Sequence, residues 1–229
     1  MLQQIMVLPF GLMVEPYPQF YDTVCTMNQV STVIFDLGGV LIDWNPSYLY
    51  KKIFAHEKDM CFFLDNICTK EWNENQDAGY PLVQATNDLI KEYPQYQDEI
   101  NAYYTRWKEM FGDYNTHSVS ILEKLHLQKK QRLLALTNWS AETFHPVKAS
   151  YPFLNYFEGI VVSGDEKIKK PDYKIYQILL NRYNVNAKES VFIDDALENI
   201  EAADDLGFQT IHFVSASQME TELKNIEVL

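Results

Sequence analysis

Five short apolar runs constrain this chain more than anything else in it: "VIF" at 33–35, "LLAL" at 133–136, "GIVV" at 159–162, "VFI" at 191–193 and "TIHFV" at 210–214. None alternates polar with apolar residues, so each reads as a strand buried on both faces, as parallel strands are. Helical periods fill the gaps between the last four. Leu197, Ile200, Ala203 and Leu206 recur at three-residue steps before Gly207 as a stop, and Ile175, Ile178 and Leu179 form a stripe opened by Pro171 at a first-turn position. Strand and helix in alternation predict an α/β fold on a parallel sheet.

About 100 residues separate "VIFD" from "LLALTN", too many for a simple crossover. The segment 46–114 is rich in Tyr, Trp and Phe and carries helical periods in "SYLYKKIF", "PLVQATNDLIKEY" and "DEINAYYTRWKEMF". It is read as a small helical subdomain inserted over the sheet edge, with 29–45 and 115–229 forming the α/β core. Residues 1–28 fit neither part and are expected to be an N-terminal extension.

The net charge of −13, from 19 basic and 32 acidic residues, argues against nucleic acid or an anionic membrane as partner. Any anionic ligand needs a local holding device. No apolar run reaches the roughly 18 residues of a membrane span, and the oily first residues lack the basic start and small-residue cleavage site of a secretory signal. Three cysteines, Cys25, Cys61 and Cys68, are read as reduced thiols, so a cytoplasmic location is expected. The five histidines show no ligand spacing and receive no role.

In an open parallel sheet, ligands bind outside the carboxyl ends of the strands. This chain places its unusual residues there. The first strand ends in Asp36, the second runs into Thr137 and Asn138, the third into Ser163 and Gly164, and the fourth into Asp194 and Asp195. Acids converging on one crevice repel unless a cation compensates, and Mg²⁺ suits an oxygen-rich site that leaves room for water and a phosphate. Singly, such acids often only cap a following helix. That explanation is weaker for Asp36, since Gly38 and Gly39 follow it and no helical period begins until about Ser47.

The ordered set Asp36 in "FDLGGVL", Thr137 in "LTNWS", Lys170 in "KIKKPDYKIY" and the pair in "VFIDDALENIEAADDLG" resembles the haloacid dehalogenase-like hydrolase superfamily, across nearly all of 31–215. The resemblance implies a Rossmann-like parallel sheet sandwiched by helices, with a small α-helical cap inserted after the first motif. It also implies phosphoryl transfer through a covalent aspartyl intermediate. Asp36 would be the nucleophile, Thr137 would bind a phosphoryl oxygen with the backbone N–H of Asn138 nearby, and Lys170 would neutralise charge on Asp36 and the phosphoryl group. Gly39 would let the loop approach the substrate closely. Mg²⁺ would be held by Asp36, the carbonyl of Gly38, and Asp195, with Asp194 as a second or water-mediated ligand. The expected partner is a small phosphorylated metabolite, a sugar phosphate being one candidate, and the expected assembly a monomer or homodimer.

Two features keep other readings open. A 2-haloacid dehalogenase-type hydrolase shares the first Asp, but relatives of that kind have a Tyr where Gly38 stands and lack the paired acids, so the metal site favours a phosphatase. Gly38 also occupies the position of the acid that, in most phosphatases of the family, protonates the leaving group. General acid–base catalysis is worth about 10²- to 10⁴-fold, so its loss also admits a catalytically weak phosphate-binding or regulatory member. Asp43, Asp77 and a metal-bound water are the candidate substitutes. The loop "WNENQDAGY" at 72–80 is placed to choose the substrate, with Asn75, Gln76, Asp77 and Tyr80 expected to face the crevice.

Overall fold

A fully parallel five-stranded sheet lies at the centre of residues 29–229, which the computed structural model describes. The expected extension at 1–28 lies outside these residues. In chain order the strands are β1 (Thr32–Phe35), β2 (Ile42–Trp44), β3 (Phe111–Tyr114), β4 (Arg132–Thr137), β5 (Gly159–Val162), β6 (Ser190–Asp194) and β7 (Gln209–His212). The sheet order is β5-β4-β1-β6-β7. β1 is therefore the middle strand, with Val33 in register with Leu133 on one side and Val191 on the other. From β1 the chain builds outward in both directions, which opens a crevice at the strands' carboxyl ends.

The absence of alternation in the apolar runs has a direct cause. Val33, Phe35, Leu133, Ala135, Val191 and Ile193 enter the apolar cluster on one face of the sheet, while Ile34, Leu134, Leu136, Val161 and Phe192 enter that on the other. Successive side chains point to opposite faces, and both faces are covered. The layers are α6 (Thr116–Gln128), α7 (Ala141–Lys148), α9 (Tyr173–Tyr183), α10 (Leu197–Asp205) and α11 (Ala216–Asn225), with the single turn α8 (Ser163–Glu166) directly after β5. Gly207 stops α10 with φ +88°. No helix among the described residues is long and apolar enough to cross a membrane.

Two helix details differ from expectation. Pro171 precedes α9 instead of opening it: Asp172 is the cap, its side chain accepting the Lys174 N–H at 2.9 Å, and the Lys170–Pro171 peptide is cis. Leu197, the first residue of α10, is exposed, and burial along the stripe begins with Ile200 and Ala203.

Between β2 and β3 come α1 (Ser47–Tyr50), α2 (Glu57–Asn66), α3 (Lys70–Asp77), α4 (Leu82–Glu92) and α5 (Gln97–Thr105). They share a separate apolar cluster that includes Leu49, Tyr50, Phe63, Ile100 and Tyr103. The helical period through "TRWKEMF" does not persist, because α5 ends at Thr105 and Phe111–Tyr114 form a strand. That strand pairs antiparallel with β2, Trp44 opposite Phe111. Pairing between the two ends of the insertion overrides local helical preference, and the resulting ribbon ties the inserted helices to the sheet.

Candidate active site

Asp36 follows β1 at the crevice floor and is 7 % exposed. Its Oδ1 accepts the Leu37 N–H at 2.7 Å and lies 3.0 Å from Lys170 Nζ. No donor among the described residues hydrogen-bonds its Oδ2, so one oxygen is held while the other is available. Lys170 is wholly buried and reaches three acceptors: Asp36, Asp194 Oδ2 at 2.6 Å, and the Leu136 carbonyl at 2.9 Å. Burial pulls its ammonium down, yet Asp194 and Asp36 outweigh that and hold its pKa above the ordinary lysine value.

Asp194 is the most fully engaged acid. Oδ2 receives Lys170, and Oδ1 receives the Ala196 N–H and Asn199 Nδ2, each at 2.9 Å. Its geometry fixes Lys170 and the start of α10, leaving Asp36 and Asp195 with the freer oxygens. Asp36, Asp194 and Asp195 each bring an oxygen within 4.8 Å of the others. Three carboxylates against one ammonium leave an excess of negative charge. Burial accordingly pushes the Asp36 carboxyl up to about 7, with Lys170 opposing and Asp194 and Asp195 adding to the rise. Asp195 is raised for the same reasons, burial first and Asp194 next. An all-oxygen donor set with surplus charge fits a hard divalent cation.

The glycines after Asp36 differ in purpose. Gly39 has φ +72°, and a Cβ there would stand 2.3 Å from Asp195 Oδ2. Only glycine lets the turn and the acid pass so closely. At Gly38 a Cβ would meet nothing within 4 Å, and that residue opens directly onto the cavity.

Thr137 is buried, and its hydroxyl has no hydrogen-bond partner among the described residues. Asn138 grips Lys170 at two points: its Oδ1 accepts the Lys170 N–H at 2.8 Å and its Nδ2 donates to the Lys170 carbonyl at 3.0 Å. The side chain thus positions the lysine, a task the sequence reading did not assign. Asn199 is the other residue missed. It is 4 % exposed and holds Asp194; the available signal was its place five residues beyond that acid, in the first turn of α10.

The inserted helices close over this floor and enclose a cavity of about 260 Å³. Of the four residues expected to face it from the 72–80 loop, only Asp77 does. Gln76 is fully buried away from the cavity, and Asn75 and Tyr80 line a separate shallow depression, with the Tyr80 hydroxyl donating to Asp88 at 2.8 Å. The loop is the last two turns of a helix, so its residues point around a circle and cannot all face one way. Asn73 and Glu74, one turn earlier, line the cavity instead. Asp43, the other candidate acid, is exposed and accepts the Tyr48 hydroxyl at 2.8 Å.

Asp77 also fastens the helices to the sheet. Its Oδ1 accepts the Ser140 N–H at 2.9 Å, and its carbonyl accepts the Ser163 hydroxyl at 2.6 Å. Lys169 reaches Glu74 at 2.8 Å beside it. Burial pushes the Asp77 carboxyl up to about 7, the Ser140 N–H opposing.

A strand-end aspartate, a buried lysine and paired acids thus meet at the sheet's switch point and form a site of oxygen-donor character. Residues 33–213 match the haloacid dehalogenase-like hydrolase family, and the chain belongs to it. It is 26% identical to the sesquiterpene phosphatase astK of Aspergillus oryzae, over 84% of this chain and 94% of that one. It is 23% identical to a phosphorylated carbohydrates phosphatase of Thermotoga maritima, over 81% and 85%. A haloacid dehalogenase-family enzyme of Bacteroides thetaiotaomicron, solved as a magnesium complex, shares the fold with TM-score 0.62 and 21% identity, over 80% of this chain and 92% of that one.

Proposed function

We propose that this chain is a Mg²⁺-dependent phosphatase that hydrolyses small phosphate monoesters through an aspartyl-phosphate on Asp36. The observation that carries the proposal is the buried Lys170 holding Oδ1 of Asp36 while Oδ2 stays open at the cavity floor. Two relatives named as phosphatases support it.

Asp36, Asp195 and the Gly38 carbonyl would hold the cation, with Asp194 behind them; when bound, Mg²⁺ supplies charge neutralisation for the phosphoryl oxygens. Asp36 Oδ2 attacks phosphorus, the new O–P bond forms as the ester P–O bond breaks, and the alcohol departs with that electron pair and a proton. Lys170 balances the charge gathered on Asp36 and the phosphoryl group. The orphaned Thr137 hydroxyl, which costs roughly 1–3 kcal/mol if left unpaired, is suited to donate to a phosphoryl oxygen. Asp77 shares the cavity with Asp36, and a carboxyl near 7 can give a proton to the leaving oxygen and later take one from water. Water then attacks the phosphorus of the acyl phosphate and frees Asp36. A cytoplasmic setting belongs to the same proposal and rests on the free thiols of Cys61 and Cys68.

Phosphate release from an aryl phosphate, followed with and without Mg²⁺ in wild type and Asp36→Asn, tests this. Metal-dependent turnover lost in the variant is expected. Turnover retained in Asp36→Asn, or metal-independent halide release from haloacetate, would overturn it.

A further inference from the structure

We propose that the alcohol half of the substrate is a hydrophobic group, an alkyl or aryl alcohol, and not a polyhydroxylated sugar; the inference rests on the phosphatase reading of the same site. Above the charged floor the cavity is walled by Trp44, Tyr103, Tyr104, Trp107, Met110 and Trp139. These come from three places: the end of β2, the stretch from α5 into β3, and the loop after β4. Local helix packing does not account for side chains from three separated segments converging on one empty space.

Two of these rings have their polar ends engaged elsewhere. The Tyr104 hydroxyl donates to Asn73 Oδ1 at 3.1 Å, and the Trp139 indole N–H donates to Thr143 Oγ1 at 3.1 Å. The wall is also braced from behind: Trp139 stacks on Phe111 with ring centres 5.6 Å apart, and Trp107 meets Trp139 edge to face at 6.5 Å. Ring carbon is what Tyr104 and Trp139 have left to offer a ligand.

Several of the side-chain polar groups beneath the aromatic wall are already paired with one another. Asn73 Nδ2 donates to Asp77 Oδ2 at 3.1 Å, Asp77 Oδ1 takes the Ser140 N–H, Glu74 takes Lys169, and Asn199 Nδ2 is spent on Asp194. A sugar would bring several hydroxyls against the aromatic wall, where Asn73, Asp77 and Glu74 are already engaged, and hydroxyls desolvated without partners are unfavourable. A site built to read hydroxyls keeps polar groups free for them. An apolar alcohol instead covers aromatic surface and makes no such demand.

With the full-length chain and Mg²⁺, kcat/KM is measured on geranyl monophosphate, 1-naphthyl phosphate, glucose 6-phosphate and methyl phosphate. Both hydrophobic esters are expected to exceed the sugar ester by about 10²-fold, chiefly through KM. Geranyl against naphthyl separates alkyl from aryl preference. Trp107→Ala should cut the ratio of geranyl to methyl phosphate turnover by about tenfold. A sugar ester used as well as the hydrophobic ones, or a ratio unmoved in Trp107→Ala, overturns the inference while leaving the phosphatase reading intact.

If no ester is turned over, the phosphatase reading fails, and binding decides the substrate class alone. Trp44, Trp107 and Trp139 are then the probes, titrated by fluorescence with geranylphosphonate and methylphosphonate. Geranylphosphonate binding about tenfold or more tighter supports a hydrophobic ligand. Equal affinities refute it. The same titration covers a Trp107→Ala protein that does not fold, since it uses the wild-type chain.

Discussion

The ammonium of Lys170 lies 2.6 Å from Asp194 Oδ2, and both side chains are out of contact with solvent. Such a pair is of little net value against apolar residues of the same shape, but breaking it strands a buried charge at a cost of about 3–5 kcal/mol. Lys170→Met strands two, Asp194 and Asp36. Urea denaturation of this variant should show a stability loss of that size with an unchanged m-value, and kcat should fall by at least about 10²-fold.

Gly38 offers a gain-of-function test. Its Cβ position is empty and it is not among the positive-φ residues, so an aspartate fits without strain. Gly38→Asp supplies the missing acid and should raise kcat by about 10- to 10²-fold for esters with poorly leaving alkoxides. It should do little for aryl phosphates, whose leaving groups need no proton. Equal effects on both series would show that Asp77 or another group already does this work.

Gly39 has no such freedom. Gly39→Ala places a methyl at 2.3 Å from Asp195 Oδ2 and forces φ +72° on an L-residue. The carboxylate must move, so Mg²⁺ affinity, read by calorimetry, should fall by about tenfold or more while the fold is retained.

In the metal-free protein, Asp36 and Asp77 are each raised by burial to about 7 from an ordinary 3.8. Between those values the folded chain holds more protons than the unfolded one, so stability declines as pH rises. The thermal midpoint without Mg²⁺ should therefore fall from about pH 5 to pH 7.5. Asp77→Asn should flatten part of that slope. Mg²⁺ at pH 7.5 should restore the midpoint in wild type, because it binds the folded state alone and favours ionised Asp36.

The fold class was legible because a doubly covered parallel sheet imposes an unusual pattern, short runs of three to five mostly apolar residues, and these appear at all five sheet strands. The short β2–β3 ribbon was not. Its two strands lie at either end of the insertion, and pairing across that separation leaves no local period. In the site, Asp36, Asp194 and Asp195 could be read from their places at strand ends, and Lys170 from its place in the motif order, in the loop before α9. The clamps could not, because Asn138 and Asn199 act through side-chain hydrogen bonds whose direction depends on rotamer and packing.

The loop at 72–80 marks the same limit more sharply. Sequence identified it as the part reaching toward the sheet, but a polar helix end offers the same residue types all round. Only docking against Ser140 and Ser163 turned Asp77 inward and left Tyr80 outside. The chain's linear order alone determined a parallel sheet, an inserted helical segment and three acids at strand ends, because strand periodicity and chain direction place them there. Which polar groups are spent on one another, and that the cavity is consequently walled by aromatic carbon, was decided by tertiary packing, since burial and hydrogen-bond pairing are properties of residues distant in sequence.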